Sequence, residues 1–199
     1  EIHKQLTQSK VTFEIICLDD ASDSRFNKLN GPINLLSFSS FILLNKNVGR
    51  SKIRNLLATY ANFDWLLFLD NDVFPVNSNF IDNYLTFIKE NIKVIYGGIK
   101  YQKDRPDKAE MLRWVYGKNR EELSLSKREL NPYHHFSSAN FLIQKKLFSI
   151  VQFNEAISQY GHEDTLFALD LRKSNVIIKN IDNSVYHLGL ETSSTYLNK

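Results

Sequence analysis

The chain has 199 residues, 43% of them hydrophobic, and carries 25 Lys and Arg residues against 22 Asp and Glu residues. That length can bury one sizeable core but is short for two enzyme domains. The nearly balanced charge, net +3, gives little support for a nucleic-acid-binding protein. No apolar run reaches the roughly 20 residues of a membrane-spanning helix, and the N-terminus lacks a signal-peptide layout. We therefore expect one domain with no transmembrane segment and no nucleic-acid partner.

The first half of the chain alternates short apolar runs with amphipathic segments. The runs are rich in Ile, Val, Leu and Phe and are bounded by polar residues, which is typical of buried strands. They occupy residues 13–18, 41–44, 65–69 and 94–99. Apolar residues at helical spacing predict helices at 49–61 and 78–91. This alternation predicts an α/β fold with a mostly parallel, Rossmann-like sheet flanked by helices, whose sites form at the carboxyl ends of the strands.

The second half of the chain has a different composition. A polar, charged and aromatic stretch covers residues 102–132, with a predicted helix near 107–116. A strand at 137–143 and a helix at 163–173 follow. We expect the region 176–188 to form a small antiparallel part at the end of the chain.

Two carboxylates, Asp70 and Asp72, end the apolar strand at 65–69. In an extended segment, side chains two residues apart point the same way, so both would face one spot beyond the strand. Carboxylates suit Mg²⁺ or Mn²⁺, which complete their coordination shells with substrate phosphates and water. The alternative is that one Asp caps the following turn while the other is solvated.

Two further acidic segments border predicted elements. Asp20 follows the first strand and can accept hydrogen bonds from a base or ribose, whereas Asp23 favours a helix cap. Glu163 and Asp164 begin a helix, where the helix dipole alone favours acids. The functional alternative makes Asp164 a general base in a cleft.

Taken in order, these motifs resemble the inverting glycosyltransferases of family 2, which have the GT-A fold. The resemblance covers nearly the whole chain except residues 102–132. It rests on Asp-Asp-Ala-Ser-Asp at 19–23, Asn47-x-Gly49, Arg54-Asn55, Leu-Asp-x-Asp at 69–72, Gly-x-Glu-Asp at 161–164 with Arg172, and His187.

The resemblance implies a single domain over residues 1–199, with a nucleotide-sugar half at about 1–101 and an acceptor half at about 102–199. It implies donor-site roles for Asp20, Arg54, Asn55, Asp70, Ser138 and Asn140. Asp72 would be the more direct metal ligand, with Asp70 and His187 completing the site. Asp164 would be the general base, with Glu163 in reserve. Two alternatives stay open: Arg54 can pair with an acid on a neighbouring strand, and His187 can be structural.

The implied reaction moves a sugar from a nucleoside diphosphate sugar, with UDP as the leading nucleotide, to an acceptor hydroxyl. Mn²⁺ or Mg²⁺ would assist, and the acceptor would be a saccharide such as a growing surface polysaccharide, a lipid-linked saccharide or a protein. The expected location is cytoplasmic, with room for peripheral contact at the inner face of the membrane.

The chain departs from the family pattern at its start. Family members normally begin with a strand that forms the first wall of the nucleotide site, and here residues 1–6 read as the end of the helix after that strand. Either the sequence is a fragment of a longer protein, or its nucleotide pocket is incomplete. The second case makes a non-catalytic GT-A-fold binding module the second hypothesis. A phosphatase of the haloacid dehalogenase kind, with its nucleophile in Asp-x-Asp, is the less favoured third.

Overall fold

A computed structural model describes residues 1–88, 92–157 and 161–198. Its strands are β1 (Ile15–Asp19), β2 (Ser39–Leu43), β3 (Trp65–Leu69), β4 (Val73–Pro75), β5 (Val94–Tyr96), β6 (Ile99–Lys100), β7 (Asn140–Gln144), β8 (Ile178–Asn180) and β9 (Val185–His187). Its helices are α1 (Ile2–Gln8), α2 (Ser24–Asn30), α3 (Arg50–Tyr60), α4 (Phe80–Ile88), α5 (Met111–Tyr116), α6 (Leu125–Leu130), α7 (Lys145–Phe148), α8 (Glu163–Lys173) and α9 (Ser193–Leu197). A 3₁₀ turn covers Gly31–Leu35, and a π-helical turn covers Gly117–Glu121.

The described strands form three sheets. β1 and β2 pair in parallel, the larger sheet has the order β3-β7-β5-β8, and the third has the order β4-β9-β6. The prediction of an α/β fold is confirmed, but the pairing is more mixed than the predicted mostly parallel sheet. The reason is β7, which enters after the 102–132 stretch from the opposite end and runs antiparallel to both β3 and β5.

The end of the chain also differs in detail from the prediction. β8 and β9 do not pair with each other: β8 joins β5 in parallel, and β9 lies antiparallel to β4 and parallel to β6. The predicted helix at 78–91 is α4, and its predicted last residues, 89–91, lie outside the described residues. No helix in the described ranges is long and apolar enough to cross a bilayer.

The core lies on both faces of the β3-β7-β5-β8 sheet. α1 and α4 cover one face, and α3, α7 and α8 cover the other. On the second face Phe153 stacks on Phe167 of α8 with ring centroids 4.3 Å apart, and Phe68 of β3 stacks on Phe141 of β7 at 4.9 Å. Large side chains buried in this way are the main source of stability.

This packing places the beginning of α8 beside one edge of the sheet. Antiparallel pairing sets the last residue of β3, Leu69, against the first residue of β7, Asn140. The acids that begin α8, the residues that follow β3 and the residues that precede β7 therefore meet at the same edge.

The polar stretch after β6 is anchored to the sheet. The hydroxyl of Tyr101 donates a hydrogen bond to Glu121, and Arg113 forms an ion pair with the same carboxylate at 3.0 Å. The indole N–H of Trp114 donates to the Gln102 carbonyl at 3.0 Å. The predicted helix at 107–116 begins later, at Met111, and continues into the π-helical turn.

Candidate functional site

The two carboxylates after β3 face different partners. Residues 71 and 72 form a turn before β4, so the segment is not extended as the sequence analysis assumed. Asp70 Oδ1 accepts a hydrogen bond from Arg54 Nη2 at 2.7 Å, whereas Asp72 Oδ2 lies 3.8 Å from His187 Nε2. Side chains two residues apart point the same way only in an extended backbone, so the turn directs the two carboxylates apart.

Asp70 belongs to an arginine–carboxylate cluster of four residues, Arg50, Arg54, Asp70 and Glu163. Arg50 Nε lies 2.6 Å from Glu163 Oε1, and Arg50 Nη2 lies 3.6 Å from Asp70 Oδ2. Arg54 is buried, as is Glu163, and Arg54 Nη1 reaches Glu163 Oε1 at 3.9 Å. Two cations balance two anions, so the cluster is neutral, with Arg54 and Glu163 buried and the Arg50 side chain 44% exposed at its solvent side. The alternative in which Arg54 pairs with an acid on a neighbouring strand is what the structure shows.

This cluster changes the role assigned to Asp70. Guanidinium donors face both of its oxygens, and the adjacent positive charges oppose a divalent cation. We therefore disfavour Asp70 as a metal ligand, whereas its predicted donor contact stays a prediction, because each carboxylate oxygen retains a lone pair.

Asp72 and His187 form a separate pair. The register of β4 with β9 sets Val73 opposite His187, and the Leu188 N–H donates to the Asp72 carbonyl at 2.8 Å. The His187 ring stacks on Tyr101 with centroids 5.6 Å apart. Its Nδ1 is buried and has no hydrogen-bond partner in the described part of the chain.

The Asp72–His187 pair fits a divalent cation that keeps most of its shell for phosphate and water. Two ligand atoms at about 2.1 Å from one ion are at most about 4.2 Å apart, and the observed 3.8 Å satisfies this limit. Gly189 makes room for the Asp72 carboxylate, since a Cβ at position 189 would overlap it. Within residues 1–88, 92–157 and 161–198, no three His, Cys, Asp or Glu side chains form a complete cage. A Mg²⁺ or Mn²⁺ ion at this pair would need its remaining ligands from substrate phosphate and water.

Asp164 has the features of a proton acceptor. Gly161 and His162, with φ of 101° and 67°, form the turn that starts α8. Asp164 Oδ2 accepts from the Ser138 N–H at 3.1 Å, while Oδ1 is buried with no hydrogen-bond partner among the described residues. Burial raises the pKa of Asp164, opposed by the charge of Arg54 and by hydrogen bonding from Ser138, and the neighbouring Glu163 raises it further.

Asn140 has a structural role that differs from the predicted one. It is completely buried, its Oδ1 accepts from the Tyr84 hydroxyl at 2.7 Å, and its Nδ2 donates to the carbonyls of Gly98 and Asn183, each at 2.9 Å. Both amide hydrogens are used, so Asn140 is not available to a donor sugar. We remove it from the donor site. The predicted donor-site role of Ser138 stays a prediction, because its buried Oγ has no hydrogen-bond partner within the described ranges.

Asn55 is a second structural amide. Its Oδ1 accepts from the Phe153 N–H at 3.0 Å, and its Nδ2 donates to the Phe153 carbonyl at 2.9 Å and to Glu155 at 3.0 Å. These bonds join α3 to the 153–155 segment and leave no amide hydrogen for a nucleotide. Asn55 therefore also leaves the proposed donor site.

Asp20 shapes the loop before α3. Its Oδ1 accepts from the Val48 N–H at 2.7 Å and its Oδ2 from the Gly49 N–H at 2.9 Å. Gly49 has φ of 87°, a conformation that favours glycine, and it precedes the first residue of α3. The predicted contact of Asp20 with a base or ribose stays a prediction, because each carboxylate oxygen retains a lone pair.

Sequence analysis missed two residues of this site, Arg50 and Gly189. Arg50 lies four residues before Arg54 on α3, and residues at that spacing share a helix face, which was a usable signal. Gly189 follows His187 by two residues. Only a residue without a Cβ fits there because of the position of Asp72, and that position could not be predicted.

Several solved structures share this fold. S. aureus TarS 1–349 in complex with UDP-GlcNAc aligns with a TM-score of 0.66 and 19% identity over 96% of this chain and 55% of that one. The same TarS fragment with UDP aligns with a TM-score of 0.65 and 19% identity, over 92% of this chain and 54% of the fragment. GalNAc-T7 with UDP, GalNAc and Mn²⁺ aligns with a TM-score of 0.66 and 15% identity, over 89% of this chain and 38% of GalNAc-T7. The chain thus spans about half of the TarS fragment. No curated protein sequence matches it.

The solved structures show that this chain has the GT-A fold. The sequence model of Glycosyl transferase family 2 matches residues 2–151, about three quarters of the chain. The chain therefore belongs to glycosyl transferase family 2, as the motifs of the sequence predicted.

Proposed function

We propose that this domain transfers a sugar from a nucleoside diphosphate sugar to an acceptor hydroxyl, with inversion at the anomeric carbon. The observation that carries the proposal is that the two acids have different surroundings. Asp72 pairs with His187, whereas Asp164 has a buried oxygen that receives no hydrogen bond from the described part of the chain. One pair can hold a cation, and the other carboxylate can accept a proton. The UDP and UDP-GlcNAc bound to TarS and the UDP and Mn²⁺ bound to GalNAc-T7 support UDP as the nucleotide.

Asp72 and His187 would hold Mn²⁺ or Mg²⁺ in this proposal. When bound, such an ion neutralises the charge that grows on the departing diphosphate. Gly189 keeps the Asp72 carboxylate unobstructed, and the stacked Tyr101 ring fixes the plane of the His187 imidazole. A ligand held in one orientation loses little entropy on binding.

Asp164 would remove the proton from the acceptor hydroxyl as that oxygen attacks the anomeric carbon. The new glycosidic bond forms as the bond to the diphosphate breaks, and the proton moves to Asp164 Oδ1. A single displacement of this kind inverts the anomeric centre and requires no covalent intermediate. A raised pKa makes Asp164 a better base once it is ionised.

Glu163 is the weaker candidate for the base. Its Oε1 is 2.6 Å from Arg50 Nε and 3.9 Å from Arg54 Nη1, so two guanidinium groups occupy the space around this oxygen and leave it less available to an acceptor hydroxyl. We assign Glu163 to positioning within the arginine–carboxylate cluster. This choice follows from the contacts, because the sequence alone offered both acids.

A non-catalytic binding module is the second candidate. One observation favours it: within the described residues, the β1-β2 sheet and the β3-β7-β5-β8 sheet are not hydrogen-bonded to each other. Nucleotide binding without transfer would support this candidate.

We also keep as proposals a division into a nucleotide-sugar half at about 1–101 and an acceptor half at about 102–199, and a cytoplasmic location. A saccharide, such as a growing surface polysaccharide, or a lipid-linked saccharide remains the proposed acceptor class.

Calorimetric titration with UDP and UDP-sugars, with and without Mn²⁺, tests the proposal. Asp72→Ala should lose Mn²⁺-dependent binding, and Asp164→Asn should retain it while transfer falls by about 10² to 10⁴. Asp170→Asn, an acid that pairs with Lys173 on the same helix as Asp164, serves as the matched control and should keep both activities. Equal loss of binding and transfer in Asp72→Ala and Asp164→Asn, with normal melting curves, would contradict the assigned roles.

A further inference from the structure

Tyr101 contacts both the histidine of the Asp72–His187 pair and the polar stretch that follows β6. Its ring stacks on the His187 ring with centroids 5.6 Å and planes 19° apart, and the residue is only 2% exposed. Tyr101 comes directly after β6, and β6 pairs in parallel with β9, which ends at His187. The ends of two neighbouring strands therefore bring the two rings together.

The contact with Tyr101 is the interaction that orients the His187 ring. A histidine that binds a metal usually donates its second ring N–H to a carboxylate or a carbonyl, and this bond fixes the imidazole. Nδ1 of His187 is buried and has no such partner in residues 1–88, 92–157 and 161–198, while Nε2 lies 3.8 Å from Asp72. Stacking thus takes the place of the usual hydrogen bond.

Side chains of the 102–132 stretch hold Tyr101 at its hydroxyl, its ring and its backbone. The hydroxyl donates to Glu121 Oε2, an oxygen that also lies 3.0 Å from Arg113 Nη2. The Arg113 guanidinium lies over the Tyr101 ring, 5.4 Å from its centroid. The Tyr101 N–H donates to Glu122 Oε2 at 2.9 Å. These contacts leave the ring little freedom to move.

Gly117 gives the Tyr101 ring the room that it occupies. A Cβ at position 117 would overlap the ring carbons Cζ, Cε1 and Cε2. Gly117 has φ of −58° and ψ of −47°, a helical conformation that any residue adopts, so the backbone does not require glycine. Close approach to the ring is therefore the reason for glycine here. Gly117 also begins the π-helical turn, a feature found frequently at functional sites.

We propose that Tyr101 is a positioning residue for the cation site, where its ring holds the His187 imidazole so that Nε2 can bind Mn²⁺ or Mg²⁺. Arg113, Gly117 and Glu121 keep that ring in place. The stretch after β6, which the family motifs of the sequence do not cover, thereby contributes to the affinity for the cation. This inference rests on the metal role proposed above for His187.

Titration with Mn²⁺ alone, followed by the electron paramagnetic resonance signal of the free ion, tests the inference without requiring nucleotide binding or transfer. Tyr101→Leu removes the stacked ring and should raise the Kd for Mn²⁺ at least about tenfold. Tyr101→Phe keeps the ring, so its Kd should stay within about threefold of that of the unchanged protein. Rescue by Phe separates ring stacking from a general loss of stability.

Tyr84→Leu is the matched control for Tyr101→Leu. Tyr84 is also 2% exposed, and its hydroxyl donates to Asn140 Oδ1 at 2.7 Å in the core. This control should lower the melting temperature, because it removes a buried ring and a hydrogen bond. Its Kd for Mn²⁺ should not change.

Gly117→Ala displaces the same ring without removing a core side chain, and it keeps the test decisive if Tyr101→Leu does not fold. The added methyl group should raise the Kd for Mn²⁺ about tenfold, because it would shift the Tyr101 ring. Gly31→Ala is its matched control, since Gly31 has φ of −50° and no atom lies within 4 Å of a Cβ at that position. Gly31→Ala should bind Mn²⁺ like the unchanged protein.

Asp72→Ala shows what complete loss of the cation site looks like. If Asp72→Ala loses Mn²⁺ binding while Tyr101→Leu and Gly117→Ala keep the original Kd, the inference is wrong and the proposed metal site stands. Equal losses in Gly117→Ala and Gly31→Ala, or in Tyr101→Leu and Tyr101→Phe, would also overturn it. An unchanged protein that binds no Mn²⁺ would overturn both the inference and the metal part of the proposed function.

Discussion

Replacing Asn140 by Ala separates a structural role from a donor-site role. The substitution removes one acceptor and two donors in a fully buried position and takes the side-chain partner from the Asn183 carbonyl. The Gly98 carbonyl keeps the Val185 N–H at 3.2 Å and the Tyr84 hydroxyl keeps the residue 140 carbonyl at 3.4 Å, so each loses one of two hydrogen bonds, worth about 0.5–1.5 kcal/mol. Each buried polar group left unsatisfied costs about 1–3 kcal/mol, and relaxation or an entering water recovers part of the total. We expect a loss of about 3–5 kcal/mol in the free energy of unfolding.

For a chain of this size, 1 kcal/mol corresponds to about 2–4 °C in melting temperature, so Asn140→Ala should melt about 6–20 °C below the unchanged protein. Thermal and urea unfolding measure the loss. Titration with UDP and UDP-sugars, well below the melting temperature, should give an unchanged Kd.

Ser138→Ala is the informative comparison for Asn140→Ala. The Ser138 Oγ is buried with no hydrogen-bond partner in the described residues, so its removal should change stability by a few tenths of a kcal/mol at most. If Ser138 contacts the donor, its loss should weaken UDP-sugar binding instead. An Asn140→Ala variant that melts normally but loses UDP-sugar affinity would refute the reasoning and return Asn140 to the donor site.

Three further substitutions test separate parts of the structure. Asp164→Asn should raise the melting temperature at pH 7, because burial raises the pKa of Asp164 and its ionisation therefore costs stability. This gain should shrink as pH falls and vanish below the ordinary Asp pKa of about 3.9, which melting curves across pH can check. Gly189→Ala should weaken Mn²⁺-dependent UDP binding in calorimetry, because a Cβ would displace the Asp72 carboxylate. Arg128→Met should lower the free energy of unfolding by about 3 kcal/mol in urea, since the buried guanidinium donates to three acceptors on β5, on β8 and just after β8.

Elements with a strong local pattern could be predicted from the sequence. β3 at 65–69 and α8 at 163–173 have the predicted bounds, and α3 differs from its predicted bounds by one residue at each end. In these segments hydrophobic periodicity and turn residues agree with the final packing. β7 also lies where a strand was predicted, but its direction was not predictable. The direction of β7 depends on the end of the sheet at which the 102–132 stretch finishes, and no local sequence pattern specifies that position.

Site residues were harder to assign, because sequence shows which polar residues lie near strand ends but not which ones are used internally. Asn140 begins β7, yet its amide bonds to groups more than 40 residues away in the chain. Asn55 bonds to Phe153, about 100 residues away. Both positions are equally polar in the sequence, and only tertiary contacts show that their hydrogen-bonding groups are used.

The two arginines of α3 determine which acids at this sheet edge remain available. They lie four residues apart on one helix face and pair with Asp70 and Glu163, so both carboxylates have guanidinium groups beside their oxygens. Asp72 and Asp164 have no such cation pairing among the described ion pairs. In the proposed function, the acid beside the histidine would hold the metal and the buried acid would accept the proton. The proposed inverting transfer would use this separation, since charge on the leaving group and the proton of the acceptor are handled at opposite ends of the reacting bonds.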